Sequence, residues 1–300
     1  MRRGWLYVVG VGLGVVLWTG ARAGEKKVKM PTEAEMKKIE GAAPAEAPAK
    51  PAAPRKVLVW GHLWTHSPNA YAAAMMEVVG KKTGAFEAVV SEDPEALLPE
   101  KLKDFDAILM NNIHEQTPFL PASFKELSKE EQAAAKEKEK AIQTSVIEFV
   151  RGGKGVAGVH AATAACQPWP EYGEMIGGYY AGHIAGDVAV KLDDPESPIN
   201  AVFGGKGFRT NDEIYLFRAP YSREKLRVLL SLDLSQMDDP GKRPDKDYAV
   251  SWIQSFGKGR VFYCSLGHVE SFYWNPVFLK HFLAGVQFAI GDLKADATPK

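Results

Sequence analysis

Residues 152–163, with the sequence GGKGVAGVHAAT, constrain the fold of this chain more than any other stretch. Two glycines open it, and the apolar run 156–159 suits a parallel strand that is covered on both faces. His160 then lies at a turn, followed by two alanines that let the backbone pass close to a ligand. In α/β folds, ligands bind beyond the carboxyl ends of such strands. We therefore expect His160 to lie in a functional site.

Strand and helix patterns alternate before this stretch. Three short apolar runs predict buried strands, at residues 56–61, 86–90 and 106–111. Helical spacing of apolar residues over 70–82 predicts a helix between the first two. A polar insert over 115–140 carries a charge run typical of a solvated helical face, and an amphipathic helix that ends at Gly152 follows it. This order predicts a doubly wound parallel sheet.

After His160 the pattern changes to strands with few helices between them. Four apolar runs predict these strands, at residues 188–192, 213–217, 228–232 and 249–253. Gly257 and Gly259 predict a hairpin turn, with Arg260 in solvent, into a last strand that ends before His268. Residues 275–290 predict a closing helix. The second half is therefore expected to add antiparallel strands to the sheet.

The N-terminus predicts export. Residues 1–23 have a basic start, an apolar run and a small-x-small cleavage site, as in a secretory signal peptide. An uncleaved anchor is the alternative, but the apolar run is shorter than the roughly 20 residues of a spanning helix. Residues 24–54, rich in Ala, Pro and Lys, predict a disordered linker, in which residues 31–39 are able to form a short exposed helix. The folded domain then covers residues 55–291, and residues 292–300 are expected to form a loose tail.

The balanced charge of the chain and its predicted export limit the kinds of partner that it is expected to bind. The chain has 37 basic and 37 acidic residues, so it lacks the electrostatic footprint of a nucleic-acid binder and a broad basic face for anionic membranes. The signal peptide predicts a periplasmic or extracellular protein, with no membrane insertion after cleavage. We expect the partner to be a small or neutral molecule.

Four motifs occur in order, at residues 152–163, 177–183 (GGYYAGH), 212–215 (DEIY) and 257–268 (GKGRVFYCSLGH). Together they resemble the ThuA-like, or trehalose-utilisation, family over roughly residues 55–291. The resemblance implies a class I glutamine amidotransferase-like, flavodoxin-type fold. It also implies a role in carbohydrate catabolism, on oxidised (3-keto) glycosides or related sugars.

The chain departs from the amidotransferase superfamily at the turn where those enzymes place a nucleophilic Cys. His160 stands at that turn, and without a thiolate the transfer of an acyl group from glutamine loses its nucleophile. Cys166 follows six residues later, in a predicted irregular loop. We therefore expect no Cys-dependent amidotransferase, and hydrolase, lyase and isomerase chemistry stay open.

Histidines supply the candidate chemistry. His62, His160 and His268 each follow a predicted strand, so their rings are expected to gather over one edge of the sheet, and His183 follows a predicted glycine-rich loop. Neutral imidazoles bind divalent metals such as zinc, and titrating imidazoles act as acids or bases near neutral pH. We predict these four histidines as metal ligands, and His160, His268 and Glu213 as catalytic groups. Structural imidazoles without a metal are the alternative.

Four further residues are weaker candidates. His66 and His114 are expected near the same edge, and His281 is most simply a helix residue. Asp212 precedes an apolar strand together with Glu213, and for both the alternative is a solvated carboxylate at the end of a strand.

Aromatic residues supply the candidate sugar contacts, because the C–H faces of pyranose rings pack on Trp and Tyr. Five of them fall in predicted loops or turns, namely Trp64, Trp169, Tyr172, Tyr179 and Trp274. Local packing is the alternative for each. Four of them, without Tyr172, form the predicted substrate-binding set.

The chain has two cysteines, Cys166 and Cys264, and its predicted export permits a disulfide between them beneath the site. Two buried free thiols are the alternative.

Taken together, the sequence predicts an exported carbohydrate-processing enzyme with histidine-centred acid/base chemistry, assisted by a divalent metal such as zinc. A non-catalytic domain that binds carbohydrate or recruits a partner is the alternative.

Overall fold

The structure is a computed structural model, and it describes residues 28–300. The predicted signal peptide, residues 1–23, lies outside the described residues. Within residues 28–300, no helix has both the length and the apolar character needed to cross a membrane.

A nine-stranded sheet runs through the described part of the chain. In chain order its strands are β1 (Lys56–Trp60), β2 (Glu87–Ser91), β3 (Ala107–Asn111), β4 (Gly155–Val159), β5 (Tyr179–Leu192), β6 (Phe208–Arg218), β7 (Arg227–Leu232), β8 (Ala249–Phe256) and β9 (Gly259–Cys264). In space they follow the order β2-β1-β3-β4-β9-β8-β7-β5-β6. The neighbours from β2 to β9 pair in parallel, and those from β9 to β6 pair antiparallel. The predicted flavodoxin-like sheet, with antiparallel additions in the second half, is confirmed.

Helices cover both faces of the sheet. They are α1 (Glu33–Ala42), α2 (Asn69–Thr83), α3 (Pro99–Leu102), α4 (Lys129–Arg151), α5 (Pro170–Ile176) and α6 (Pro276–Ile290), with short 3₁₀ helices between them. Alternate strand residues point to opposite faces, so Val57 packs in the same core cluster as α2 and α6, while Leu58 packs with α4 and α5. The charge run lies on α4, which opens with a capping box at Ser128 and presents its polar face to solvent.

The glycines before His160 let a helix pack directly on the sheet. A Cβ at Gly155 would collide with the backbone oxygen of Ala289, near the end of α6. A Cβ at Gly158 would lie 2.8 Å from the side chain of Ile176 on the other face. Strand β4 is therefore held between two layers, and its buried carboxyl end delivers His160 to a fixed position.

Residues 28–54 do not form the disordered linker that their composition predicts. Helix α1 packs on α2, with Ile39 fully buried and Ala43 4% exposed. The backbone of Ala49 pairs with the side-chain amide of Gln287 in α6, at 2.9 and 2.7 Å. Average composition misses this arrangement, because one buried isoleucine and a pair of hydrogen bonds are enough to anchor a polar segment on an existing core.

Three further expectations are corrected. The tail 292–300 is tethered, since Asp292 pairs with Arg55 at 2.6 Å and the carbonyl of Thr298 accepts a hydrogen bond at 3.2 Å. Arg260, expected in solvent, donates to backbone carbonyls at the end of α6. The glycine-rich motif 177–183 enters strand β5 rather than a loop, because a bulge between residues 180 and 182 interrupts the alternation that marks a strand.

Candidate functional site

The carboxyl ends of four parallel strands form one edge of the sheet. Strands β1, β3, β4 and β9 are consecutive neighbours, so the segments that follow them meet at this edge. Those segments carry ionisable side chains, namely His62 and His66 after β1, His114 and Glu115 after β3, His160 after β4 and His268 after β9.

Three imidazoles form the centre of the site. His66, His160 and His268 can each offer a ring nitrogen such that the three atoms lie within 4.8 Å of one another. The rings of His66 and His160 are stacked at 5.5 Å between centroids, and the His268 ring lies 5.2 Å from each. We call these three residues the histidine cluster.

His160 is buried, and its backbone is strained. Its φ of +42° lies in the left-handed region, which costs a residue other than glycine about 1–3 kcal/mol and is concentrated at functional sites. Nδ1 lies 2.8 Å from the carbonyl oxygen of Ser265, which can only accept, so Nδ1 carries the proton and Nε2 carries the lone pair. Nε2 is buried without a hydrogen-bond partner among the described residues. Such an atom is costly unless a ligand satisfies it.

Burial keeps two members of the histidine cluster neutral. It lowers the pKa of His160 to about 3; the hydrogen bond to the Ser265 carbonyl opposes this, and the nearby imidazoles His66 and His268 each make a smaller contribution that lowers the pKa further. It lowers the pKa of His66 to about 4, with added contributions from His268 and His114. His66 Nδ1 is also buried without a partner among residues 28–300. Neutral rings with free lone pairs are the form in which histidine binds a metal.

The carboxylate of Glu213, on β6, lies against three histidines. Oε1 is 3.8 Å from His160 Nε2, and Oε2 is 3.6 Å from His183 Nε2 and 3.8 Å from His268 Nε2. His183 is held from its other side by the Tyr180 hydroxyl, 2.8 Å from Nδ1. These separations exceed hydrogen-bond length and leave the carboxylate next to, rather than bonded to, the histidine cluster. Imidazoles with an adjacent carboxylate are a suitable donor set for a divalent cation.

Asp212 fixes the turn that carries His268. Its buried carboxylate accepts hydrogen bonds from the backbone amides of Gly267 at 2.8 Å and Val269 at 3.3 Å. The hydroxyl of Tyr273 donates to the Gly267 carbonyl at 2.8 Å. Burial raises the pKa of Asp212 to about 6, although the amide hydrogen bonds oppose it. Asp212 is therefore neither solvated nor at the cleft, and it positions the His268 turn from behind.

The structure places His62 outside the histidine cluster, contrary to its prediction as a ligand. Its Nδ1 lies 2.6 Å from Oε1 of Glu115, and its ring packs between Trp60 and Trp64. His66, in the same loop, takes the place that was expected for His62. Position after a strand identifies the edge correctly, but it does not distinguish two histidines within one loop. Glu115 was missed because it opens the polar insert and has no motif around it.

Two of the predicted sugar-stacking aromatics belong to the core instead. Trp169 and Tyr179 are 6% and 5% exposed, and Tyr172 is fully buried. The Tyr179 hydroxyl accepts from the Gly173 amide at 3.0 Å and donates to the Trp169 carbonyl. Their loop positions suggested exposure, but a buried tyrosine keeps its hydroxyl satisfied by such backbone partners.

The other two predicted aromatics differ in accessibility. Trp274 is partly buried, with its ring 5.9 Å from that of Tyr71 and the Lys38 ammonium 5.1 Å from its centroid. Trp64 is 39% exposed, and its ring stacks on His62 at 5.6 Å between centroids. Of the predicted set, Trp64 combines exposure with contact to a site residue.

Cys166 and Cys264 are both free and buried, so of the two possibilities left open by the sequence the structure has the two free thiols. Cys166 packs in the core cluster of α4 and α5, and Cys264 packs in the cluster of α2 and α6. The sheet lies between the two thiols, because Cys264 is the last residue of β9, Cys166 follows the neighbouring strand β4, and the two side chains lie on opposite sides. His281 is buried in α6 with Nδ1 3.2 Å from the Ile199 carbonyl, as expected of a structural residue.

Known proteins resemble this chain in family and in fold. A family model described as ThuA, trehalose utilisation, matches residues 56–289. No curated protein matches the sequence significantly. A ThuA-like protein from Bacteroides uniformis ATCC 8492 is 21% identical with a TM-score of 0.59, over 79% of this chain and 93% of that chain. One from Parabacteroides merdae ATCC 43184 is 14% identical with a TM-score of 0.56, over 81% and 93%. A cytoplasmic protein from Salmonella typhimurium LT2 is 12% identical with a TM-score of 0.52, over 80% and 99%.

Proposed function

This chain belongs to the ThuA (trehalose utilisation) family, whose role is carbohydrate-related, and on that premise we propose that it is an exported enzyme acting on oxidised (3-keto) glycosides or related sugars. The observation that carries the proposal is the buried, strained His160, whose unpartnered Nε2 lies in the histidine cluster beside Glu213. We propose histidine-centred acid/base chemistry, assisted by a divalent metal such as zinc.

The histidine cluster fits such a cation. His160 Nε2 and His66 Nδ1 are buried polar atoms without a partner among the described residues, and a cation bound to the cluster would satisfy lone pairs that are now unused. His66, His160 and His268 would hold the ion, and the Ser265 carbonyl would orient the His160 ring. When bound, the ion would polarise a carbonyl of the sugar or lower the pKa of a bound water.

Glu213 is placed to move a proton. Its side chain is 17% exposed, so the carboxylate is reachable from the cleft yet held among His160, His183 and His268. A 3-keto sugar presents acidic C–H groups beside its carbonyl, and a carboxylate within reach takes or returns such a proton. We propose that Glu213 does this at one of the two carbons beside the carbonyl.

The decisive experiment combines metal analysis with turnover. The mature chain from Gly24 is loaded with zinc, dialysed and analysed by mass spectrometry, and conversion of methyl 3-keto-glucoside is followed by NMR. We expect about one tightly bound zinc per chain, turnover that EDTA abolishes and zinc restores, and a roughly 100- to 10,000-fold fall in turnover with zinc retained in Glu213→Gln. Glu126→Gln, a change at an exposed carboxylate remote from the cleft, is the matched control.

Binding of unmodified sugars, with no conversion of any keto-glycoside and no effect of His160→Ala, would instead support a non-catalytic carbohydrate-binding domain. Export is tested separately, by fractionating cells that express residues 1–300 and sequencing the N-terminus of the product. Periplasmic protein that begins at Gly24 supports the proposal, and uncleaved protein in the cytoplasm contradicts it.

A further inference from the structure

His62 and Glu115 form a second ionisable pair at the same edge of the sheet, and the histidine cluster does not use it. Resting on the function proposed above, we propose that His62 is a catalytic residue, a proton-transfer group with Nε2 directed at the substrate, and that Glu115 is its positioning residue. The two side chains are 19% and 22% exposed, so the pair is largely withdrawn from solvent but still accessible from the cleft.

The contact determines which nitrogen acts. His62 Nδ1 lies 2.6 Å from a carboxylate oxygen of Glu115, which accepts, so Nδ1 carries the ring proton. Nε2 is then the nitrogen that is able to take a proton. A base oriented by a carboxylate on its far nitrogen is the arrangement that enzymes use for proton transfer.

Glu115 is itself held in place. Its second oxygen accepts the His114 amide at 3.0 Å, which leaves the first oxygen for His62. Burial alone would raise the pKa of Glu115, but the hydrogen bonds from His62 and from the His114 amide hold it below its usual value. The carboxylate therefore stays ionised at neutral pH and keeps the Nδ1 proton of His62 in place.

The pair lies beside the histidine cluster. Strands β1 and β3 are neighbours, so the segments that carry His62 and Glu115 leave the sheet side by side. The His114 ring, next to Glu115 in the chain, is 5.9 Å from the His66 ring. The carbonyl of His62 accepts the side-chain amide of buried Asn69 at 2.7 Å, which fixes the loop between His62 and His66. A sugar that reaches the histidine cluster therefore passes close to His62.

Trp64 gives this position a sugar-binding surface. Its ring stacks on the His62 ring at 5.6 Å with an interplanar angle of 23°, and its side chain is the exposed one of the pair. Because the His62 ring covers one face of Trp64, a pyranose against the exposed edge of the indole would have ring C–H groups beside His62. Nε2 takes a proton from the carbon beside the carbonyl at which Glu213 does not act; the C–H bond breaks, an N–H bond forms and the electron pair moves to the carbonyl oxygen as an enolate. This step belongs to lyase or isomerase chemistry and not to simple hydrolysis.

Proton exchange tests the step directly. Zinc-loaded mature chain is mixed with methyl 3-keto-glucoside in D₂O, and the loss of the C–H signals beside the carbonyl is followed by NMR above the uncatalysed rate. We expect His62→Gln to slow exchange and turnover at least 100-fold with zinc content unchanged. Glu115→Gln should lower kcat about 10- to 100-fold with KM within about twofold, and Glu115→Asp should recover part of that loss. Glu126→Gln is again the control, with circular dichroism to verify folding.

Any other result contradicts a specific part of the proposal. Equal exchange in His62→Gln and wild type overturns the role of His62 and leaves the proposed function intact. Loss of zinc from a folded His62→Gln variant makes His62 a ligand and also overturns it. If His62→Gln does not fold, an unchanged kcat in folded Glu115→Gln overturns the proposed roles of His62 and Glu115. A wild-type protein that neither exchanges nor converts the keto-glycoside refutes the proposed function, and the role of His62 fails with it.

Discussion

Nδ1 of His160 lies 2.8 Å from the carbonyl oxygen of Ser265, across the boundary between β4 and β9. This hydrogen bond assigns the ring proton to Nδ1 and directs the lone pair of Nε2 into the histidine cluster. The Ser265 hydroxyl in turn accepts the Tyr215 amide at 3.0 Å, so a third strand, β6, is tied to the same point. The orientation of one imidazole is thus determined by backbone from three strands, including the strand that carries Glu213.

We expect His160→Asn to abolish tight zinc binding without unfolding the protein. Asparagine tolerates positive φ better than other residues with a side chain, so it suits the +42° backbone at this turn, but it lacks the ring nitrogen. Calorimetry with zinc should show an affinity at least 100-fold weaker than wild type, or about 2.7 kcal/mol. His281→Gln, which removes a histidine remote from the cluster, should bind zinc as the wild type does. Unchanged affinity in His160→Asn would contradict the metal site.

The parallel half of the sheet was predictable because buried parallel strands leave a strong signal. Strands β1, β3 and β4 each contain a continuous apolar run of four or five buried residues, and turn residues or glycine lie close to each. Strand β5 was recognised only at its end. Its first half alternates exposed and intermediate residues and contains glycines at positive φ, so nothing in the local sequence separates it from a loop.

The sheet edge that carries the site was predictable by the same reasoning, but the exact set of residues in the site was not. His160, His268 and Glu213 meet there as expected, although their catalytic roles stay predictions. Whether His62 or His66 joins the histidine cluster depends on how one loop folds after β1. Hydrogen bonds from Asn69 and Thr65 to the His62 carbonyl determine the conformation of that loop. Such contacts join residues through tertiary structure, and no spacing in the sequence encodes them.

The N-terminal segment should contribute to stability. Ile39 is fully buried beside α2, and truncation of a buried isoleucine to alanine typically costs about 2–5 kcal/mol, whereas a change in a disordered linker costs close to nothing. We expect Ile39→Ala to lower the free energy of unfolding by about 2–4 kcal/mol in urea titrations. Glu40→Ala, at the exposed neighbouring position, should change it by less than about 0.5 kcal/mol. Equal values for the two variants would restore the linker interpretation.

Both thiols should be inert in the folded protein. Burial raises the pKa of Cys264 to about 12 and raises that of Cys166 well above its ordinary value, so neither forms the reactive thiolate. Without reductant, we expect Ellman's reagent to detect essentially no thiol in the native state and both thiols after unfolding in guanidinium. Detection of none after unfolding would reveal a disulfide.

His281 provides a pH dependence that is separate from the histidine cluster. Burial lowers its pKa to about 4, below the ordinary histidine value of about 6.5. Between these two values the unfolded chain binds a proton that the folded protein excludes, so the stability present above pH 6.5 is lost as the pH falls towards 4, at about 1.4 kcal/mol per pH unit.

The variant His281→Gln lacks this titrating side chain. The stability of wild type relative to this variant, measured by urea unfolding in EDTA, should be constant above pH 7 and fall by roughly 3 kcal/mol by pH 4. Taking the difference removes the opposite effects of Glu77 and Asp212, whose pKa values burial raises to about 7 and about 6, because both proteins contain them. A difference that does not change between pH 7 and pH 4 would mean that His281 is not excluded from protonation by its burial.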